Sequence, residues 1–407
     1  MQRILIFILF ITYSSLYSFG SLRDLPIFQV PDCLGVNIHF SEPREHDLSL
    51  IAAAGFRTIR MDLVWAAVER EKGQYDFASY KALTEAMRAR DMTPLYILDY
   101  SNKLYEENRS IKTEAGREAF ARFAAQAVKE LGKGILWEIW NEPNLKQFWE
   151  DQPSVDDYVR LVEVTARAIR EVDAEATILA PATSEIPRDF LRECFERGML
   201  EHIDVVSVHP YRSRNPETVL PEYVELRNLI QEFSPDREIP IVSGEWGYSV
   251  HKYGDVQITE HMQAQYLARE FLVNLMAKIR VSIWYDWKND GTDPGEREHN
   301  FGTVNFDLEP KEAYKAAQTL TSMLYGLRFE KRIESEREND YILQFGNDEK
   351  TVLAAWTTGD AHHVSLNSFN INTQATTMLG TKLDIIKEEN KIVFPVSQDP
   401  IYLNVIK

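Results

Sequence analysis

Residues 135–144 read Ile-Leu-Trp-Glu-Ile-Trp-Asn-Glu-Pro-Asn, a short apolar stretch that changes abruptly to polar residues. Pro143 has no N–H group to donate to a sheet, so a strand here must end before it. Helical patterns lie on both sides, at 114–131 and 155–172, each with one apolar stripe. A buried strand between two amphipathic helices indicates a parallel sheet, because parallel neighbours need long crossover connections.

The same alternation of strands and helices extends from about residue 31 to residue 325. Further helical patterns cover 260–277 and 307–326. The predicted strands are short and rich in Val, Ile and Leu, and they span 34–40, 58–64, 93–98, 135–140, 177–181, 205–209, 241–244 and 281–284. Eight strands that alternate with helices predict an α/β fold, a closed (β/α)8 TIM barrel. Such barrels carry their chemistry at the C-terminal ends of the strands.

The pattern changes after Arg328, where short strands are separated by polar turns. The predicted strands there span 341–345, 351–356, 363–366, 375–378, 383–387, 392–395 and 401–405. This spacing predicts a small antiparallel β-sandwich. The predicted segments are therefore a signal peptide at 1–20, a catalytic barrel at 21–327 and a β-sandwich accessory domain at 328–407. Whether the sandwich binds sugar or only packs on the barrel stays open.

The N-terminal residues have the layout of a secretory signal peptide. One positive charge, Arg3, precedes a short apolar run, and Ser18 and Gly20 form a small-x-small pattern before Ser21. The run is too short to span a bilayer, so we expect an exported periplasmic or extracellular protein; an uncleaved membrane anchor is the alternative. The net charge of −18 argues against nucleic acid or an anionic membrane as a partner. The oligomeric state is not indicated.

Two carboxylates follow predicted barrel strands at the end where chemistry is expected. Glu142 comes directly after the fourth strand, and Glu245 is the first charged residue after the seventh, in Pro-Ile-Val-Ser-Gly-Glu-Trp-Gly at 240–247. Cleavage of a glycosidic bond needs one carboxylic acid to protonate the leaving oxygen and a second carboxylate to attack or to activate water. Glu138 lies earlier in its strand, and we expect it to be a buried hydrogen-bonding group.

The Trp-Asn-Glu-Pro stretch at 140–143 and the Gly-Glu-Trp turn at 244–246 together resemble glycoside hydrolase clan A, especially families 5 and 39. Some members carry a small β-domain after the barrel. The resemblance implies a retaining hydrolase of O-glycosidic, β-configured bonds in an oligo- or polysaccharide. It makes Glu142 the acid/base and Glu245 the nucleophile, and it places Asn141 on the sugar 2-hydroxyl. It implies no metal and no cofactor.

Other positions match the same family pattern. The predicted substrate-binding residues are Arg60, Asn141, His209, Tyr211, Trp287, Trp284, His39 and Trp246. Trp287 is preferred over Trp284 as the aromatic residue that follows the eighth strand. For His39, a place in the site and a place in the core are about equally well supported. Because sugar rings stack on aromatic faces, we expect exposed platforms at Trp65, Trp149, Trp246 and Trp287. Gly244 and Gly247 are expected to leave room for a ligand.

Two other functions stay open alongside hydrolysis. One is a catalytically inactive carbohydrate-binding barrel, against which the intact pair Glu142 and Glu245 argues. The other is an envelope protein that assembles polysaccharide and uses the barrel as a scaffold. The sugar, the linkage and the choice between internal and terminal cleavage are not predicted. The polar loop at 289–300 is interpreted either as a wall or a mobile lid of the cleft, or as a solvated loop.

Overall fold

The computed structural model describes residues 24–253, 256–367, 373–388 and 391–405. The predicted signal peptide at 1–20 lies outside these described residues. Among the helices within them, none combines the length and apolar character needed to cross a membrane.

Eight parallel strands form a closed barrel, as predicted. They are β1 (Leu34–Asn37), β2 (Thr58–Val64), β3 (Thr93–Asp99), β4 (Leu136–Ile139), β5 (Thr177–Ser184), β6 (Val205–His209), β7 (Ile241–Trp246) and β8 (Ser282–Trp284). Each strand pairs with its neighbours in chain order, and β8 closes the ring against β1. The helices are α1 (Glu45–Ala54), α2 (Trp65–Val68), α3 (Ala78–Arg88), α4 (Glu114–Leu131), α5 (Val155–Val172), α6 (Arg188–Glu196), α7 (Leu220–Phe233), α8 (Glu260–Met276) and α9 (Glu312–Met323).

Helix boundaries follow local capping chemistry. The α4 and α5 helices have their predicted bounds, and the Thr113 and Ser154 hydroxyls each cap the first turn by accepting a backbone N–H. The last helix begins at Glu312 rather than at residue 307, because the Asn305 side chain holds the preceding residues in a turn. The first strand ends at Asn37, earlier than predicted.

The barrel interior changes from apolar to polar along its axis. Side chains near the N-terminal ends of the strands form a closed apolar cluster of Leu25, Leu95, Leu136, Leu179, Val205, Val242, Val281 and Ile283. Further along the strands, the buried interior contains Arg60, Glu138 and Ser207, which are bonded to one another. The polar layer therefore lies at the C-terminal ends of the strands, which is the expected position of a site.

The chain after the barrel forms an antiparallel β-domain, as predicted. Its strands are β9 (Arg328–Arg332), β10 (Asp340–Gly346), β11 (Thr351–Thr357), β12 (His362–Asn367), β13 (Gln374–Thr377), β14 (Lys382–Leu383), β15 (Ile386–Glu388), β16 (Lys391–Val396) and β17 (Ile401–Val405). One sheet has the order β9-β10-β11-β17-β13-β14, and the second has the order β12-β16-β15. Residues of both sheets, such as Leu353 and Phe394, share one apolar core.

Buried polar contacts dock this domain on the barrel. The Trp356 indole donates to Glu217 at 2.7 Å, and Arg269 of α8 donates to both oxygens of the same carboxylate at 2.7 and 2.6 Å. Phe345, Trp356 and Tyr402 belong to the main apolar cluster of the barrel. These contacts place the described part of the β-domain on the helix side of the barrel.

Candidate active site

Arg60 is the centre of the polar layer. Its side chain is 1% exposed and projects from β2 into the barrel. It donates to Glu138 at 2.7 Å, to Glu245 at 2.6 Å and to Asn141 at 2.8 Å. Burial alone would lower the pKa of Arg60, but the two carboxylates raise it, so the guanidinium stays charged. A single buried cation thus positions residues of β4, of the segment that follows β4, and of β7.

The Glu245 side chain points into the barrel because of an irregularity in β7. Ser243 of β7 pairs with Ser282 of β8, and Trp246 pairs with Trp284. The step from one pair to the next takes three residues in β7 but two in β8, so β7 contains one extra residue. Gly244 and Glu245 therefore both face inward, and Trp246 faces the helices. The Glu245 carboxylate accepts from Arg60 at 2.6 Å and from the Tyr211 hydroxyl at 2.8 Å. Burial and the Glu245 charge raise the pKa of Tyr211 well above its usual value, so its hydroxyl keeps the proton that it donates.

Glu142 is held in an uncommon backbone conformation after β4. Trp140 and Glu142 have φ values of 72° and 46°, in a region that is unfavourable for side chains other than glycine. Tertiary contacts fix this segment: the Glu142 N–H donates to the Ala182 carbonyl at 2.9 Å, and Trp140 packs against Tyr100 and Trp149. This backbone conformation directs the side chains of both Asn141 and Glu142 into the site.

His209 connects the Arg60 cluster with Glu142. Its Nε2 lies 3.2 Å from an Arg60 nitrogen, and its Nδ1 lies 3.1 Å from a Glu142 oxygen. An arginine can only donate, so Nε2 accepts and Nδ1 carries the proton donated to Glu142. One ligand atom from each of Glu142, His209 and Glu245 lies within 4.8 Å of the other two. The two predicted carboxylates therefore face each other across a gap that accommodates one reacting bond.

Residues 27–291 match the family model described as Cellulase (glycosyl hydrolase family 5). The chain belongs to this family, in clan A. The family 5 hydrolase is similar to two curated β-xylosidases: 34% identity over 155 residues with that of Geobacillus stearothermophilus, and 25% over 337 residues with that of Caldicellulosiruptor saccharolyticus. These matches cover 33% and 74% of the chain, but only 30% and 64% of the two relatives, less than two thirds of each.

A solved structure covers more of the chain. A family 39 glycoside hydrolase from the gut symbiont Bacteroides cellulosilyticus WH2 is 26% identical to the family 5 hydrolase, with a TM-score of 0.80. The likeness covers 94% of the present chain and 81% of that one. The architecture of barrel and β-domain is therefore shared across these clan A proteins.

The two glycines of the β7 turn do not make room for a ligand, contrary to the expectation. A Cβ atom on Gly244 would lie 2.5 Å from the Ser207 hydroxyl oxygen and 3.0 Å from a Glu138 oxygen. A Cβ on Gly247 would collide with the Tyr285 carbonyl at 1.7 Å. Both glycines are required by protein atoms that pack directly against the β7 backbone.

Gly244→Ala should destabilise the family 5 hydrolase by about 1–3 kcal/mol, the usual cost of an overpacked interior. The Glu138 and Ser207 side chains cannot move away, because both are buried, Ser207 is bonded to Glu138, and Glu138 is also bonded to Arg60. Urea unfolding measures the loss. Gly359→Ala in the β-domain is the matched control, because its new Cβ would meet nothing closer than 3.4 Å. Equal stabilities for the two variants would contradict the proposed packing.

The predicted tryptophan platforms are buried. Trp65, Trp149, Trp246 and Trp284 are 0% exposed, and Trp287 is 1% exposed. Trp246 and Trp284 point away from the barrel axis and pack on Tyr248, and the Trp287 indole donates to Asp47 at 3.0 Å. The expectation of exposed stacking faces is wrong at Trp65, Trp149, Trp246 and Trp287, and the binding candidate Trp284 is buried as well, because large aromatic side chains fill the layer between strands and helices.

The aromatic wall of the site is Tyr285, which the sequence analysis missed. Tyr285 directly follows β8 and is partly exposed. Its ring meets Tyr211 edge-on at 6.4 Å, and the Glu245 charge contributes, after burial, to a raised Tyr285 pKa. Tyr285 lies between Trp284 and Trp287 in sequence, so its position could have indicated a binding role. The two tryptophans were predicted instead because their rings are larger.

His39 lies at the edge of this cluster and is half-exposed. One of its nitrogens is 3.4 Å from the Asn37 amide and 3.4 Å from the Asp286 carboxylate. Burial alone would lower the pKa of His39, but Asp286 raises it to about 9, so the ring is a cation at neutral pH. The structure thus brings His39, Arg60, Asn141, His209 and Tyr211 together around the two carboxylates.

Asp99 forms a buried carboxyl pair with Asp62 on the inner side of β2 and β3. Asp99 is 0% exposed, and neither of its oxygens meets a donor among the described residues. Burial, followed by the neighbouring Asp62, raises the pKa of Asp99 well above its usual value. Burial and the neighbouring Asp62 carboxylate both disfavour a charge on Asp99, so folding favours its protonated form.

Asp99→Asn should stabilise the folded protein more at pH 8 than at pH 5. The folded state keeps a proton on Asp99 that the unfolded chain releases above about pH 4. The free energy of unfolding therefore falls by up to about 1.4 kcal/mol per pH unit, from there up to the raised pKa. Asparagine does not titrate and removes this penalty. Tm measured from pH 4 to 9 should show a gap that widens with pH, and a constant gap would contradict the pairing. The control is Asp360→Asn, which also removes one carboxylate but at an exposed position.

Proposed function

We propose that this protein hydrolyses O-glycosidic, β-configured bonds by a retaining double displacement. The observation that carries the proposal is the approach of Glu142 and Glu245 to within 4.8 Å, with different bonding partners for each. Retaining enzymes hold their carboxyl groups about 5–5.5 Å apart, whereas inverting enzymes leave about 6.5–9.5 Å for a water molecule. The short separation supports direct attack by one carboxylate.

In the first step, Glu245 attacks the anomeric carbon with a carboxylate oxygen. The bond from this carbon to the leaving oxygen breaks, and Glu142 gives its proton to that oxygen. The sugar is then an ester of Glu245 with inverted configuration. Arg60 and Tyr211 donate to Glu245 at 2.6 and 2.8 Å, which supports an ionised nucleophile in a fixed position.

In the second step, the Glu142 carboxylate takes a proton from water, and the water oxygen attacks the same carbon. The ester bond to Glu245 breaks, and a second inversion restores the original configuration. The His209 Nδ1–H lies 3.1 Å from Glu142 and donates to it when the carboxylate is charged. Contact with His209 thus stabilises the ionised Glu142 that acts as the base in this step.

Of the other predicted substrate-binding residues, only those that face the site bind the sugar in this proposal. Asn141 is fixed by Arg60 at 2.8 Å and by Tyr100 at 3.2 Å, so its amide is positioned for a sugar hydroxyl. His39 and Tyr285 form the wall opposite. The similarity to β-xylosidases makes β-xylosides the first substrates to test. We further propose export through residues 1–20, which places the enzyme where polysaccharide is found.

Hydrolysis of a panel of 4-nitrophenyl β-glycosides tests the proposal, with Glu142→Gln and Glu245→Gln as inactive controls. Release of nitrophenol by the wild type and not by the variants supports hydrolysis. Binding of oligosaccharide without any turnover would favour the inactive carbohydrate-binding barrel. Full activity of the Glu245 variant would rule out the mechanism but not the hydrolase.

A further inference from the structure

A groove lies between the N-terminal face of the barrel and the β-domain. Its volume is about 690 Å³, and ligand sites typically measure about 300–1,000 Å³. One wall consists of the C-terminal ends of α1 and α9, and the other of β13 and the turn that follows it. Pro31 and Arg57 of the lining precede β1 and β2, whereas Glu142 and Glu245 lie at the opposite ends of the strands. A ligand bound in this groove is therefore out of reach of the two carboxylates.

An exposed aromatic ring lines the groove. Tyr325 is 66% exposed, the highest value among the large hydrophobic side chains that the structure describes. Its backbone is fixed on both sides: the Gly326 N–H donates to the Val30 carbonyl at 2.7 Å, and the Val30 N–H donates to the Leu327 carbonyl at 3.0 Å. A free ring on a fixed backbone offers a flat apolar face on which a sugar ring can stack.

The walls of the groove are held together by close packing. Gly55 ends α1 with a φ of 87°, and a Cβ atom there would lie 2.3 Å from the Thr321 hydroxyl oxygen of α9. The same hydroxyl donates to the Ala54 carbonyl at 2.8 Å. In the turn after β13, a Cβ on Gly380 would lie 3.1 Å from the Thr319 hydroxyl oxygen. The groove is therefore formed before a ligand binds, which lowers the cost of ordering it.

The polar groups of the lining suit an uncharged ligand with many hydroxyl groups. The described lining contains no Asp or Glu, although the whole chain has 63 acidic residues and a net charge of −18. This composition argues against a metal ion or a basic peptide as the ligand. The lining includes the hydroxyls of Thr319, Ser322 and Thr376 and the amide of Gln318. Such groups both donate and accept hydrogen bonds, as sugar hydroxyls do.

We propose that this groove is a non-catalytic binding site for a neutral stretch of the polysaccharide that the active site cleaves. Tyr325 stacks on one sugar ring, and Thr319, Ser322 and Thr376 bind hydroxyls of the chain. This inference rests on the proposed function and adds to it that the substrate is a polymer. A segment bound in the groove holds the enzyme close to other segments, which raises their effective concentration at the two carboxylates.

Sedimentation with insoluble xylan and with cellulose tests the groove, in the Glu245→Gln background so that the polymer stays intact. We expect Tyr325→Ala to weaken binding to the accepted polymer by about tenfold. In the chain with Glu245 intact, Tyr325→Ala should lower the ratio of activity on this polymer to activity on its 4-nitrophenyl glycoside by a similar factor. Ile386→Ala is the matched control, because this side chain is 57% exposed on the β-domain and lies outside the groove.

The outcomes separate this inference from the proposed function. Equal binding by Tyr325→Ala and its parent, or no binding by the parent, would overturn the inference and leave the hydrolase intact. An equal loss in Ile386→Ala would also overturn it, because that result indicates unspecific adsorption. So would a dimer in light scattering that Tyr325→Ala dissociates, since a second copy of the chain then fills the groove. Binding that depends on Tyr325, without turnover of any glycoside or polymer, would overturn the proposed function and support the groove.

Discussion

Glu245→Gln should lower kcat/KM by about 10⁴-fold or more, the scale of effect when a covalent nucleophile is removed. The amide is the same size: its oxygen can accept from Arg60, and its NH2 group can donate to the Tyr211 hydroxyl oxygen, so the site should keep its shape. It cannot form the ester with the anomeric carbon. Steady-state hydrolysis of a 4-nitrophenyl glycoside measures the loss.

The control for Glu245→Gln is the same substitution at Glu349, an exposed residue of the β-domain. That variant should retain full activity, and both variants should unfold cooperatively at temperatures close to that of the wild type. If Glu245→Gln loses activity only because it unfolds, the loss is no evidence that Glu245 is the nucleophile. If it remains folded and active, the nucleophile is another residue.

Glu142→Ala should give a loss that depends on the leaving group. A general acid contributes about 10²–10⁴-fold when the departing oxygen needs a proton. Dinitrophenol leaves without one, so the first step on a dinitrophenyl glycoside should be nearly as fast as in the wild type. A methyl glycoside of the same sugar should lose the full factor. Pre-steady-state kinetics on the two substrates separate the first step from the second.

Azide provides the control for Glu142→Ala. In the proposed mechanism this small anion enters the space left by the side chain and attacks the glycosyl ester without a general base. The product should be a glycosyl azide with the configuration of the substrate. Equal losses on good and poor leaving groups, without rescue by azide, would contradict the acid/base role of Glu142.

Local patterns were sufficient to predict the barrel and the position of Glu142 and Glu245 near the C-terminal ends of its strands. The apolar stripes of α4 and α5 and the strand end before Pro143 each depend on neighbours in sequence, whereas β7 continues to Trp246, past its predicted end at Gly244. Eight such units leave little choice of closed topology, which is why the fold was predicted in outline.

The direction of side chains around β7 was not predictable in this way. One extra residue turns Glu245 inward and Trp246 outward, and side-chain alternation along a strand gives no sign of such an insertion. The same limit explains Tyr285, which forms the wall that was assigned to Trp284 or Trp287. The bonds of Arg60 to Glu138 and Glu245 span separations that only the closed barrel brings together.

The central claim is that Glu245 forms a covalent bond to the sugar, and mechanism-based trapping tests it most directly. A 2-deoxy-2-fluoro glycoside with a dinitrophenol leaving group reacts in the first step and stalls before the second. The intact protein should gain the mass of one fluoro-sugar, and the labelled peptide should carry it on Glu245. A label on any other residue, or turnover with inverted configuration and no adduct, would contradict the account.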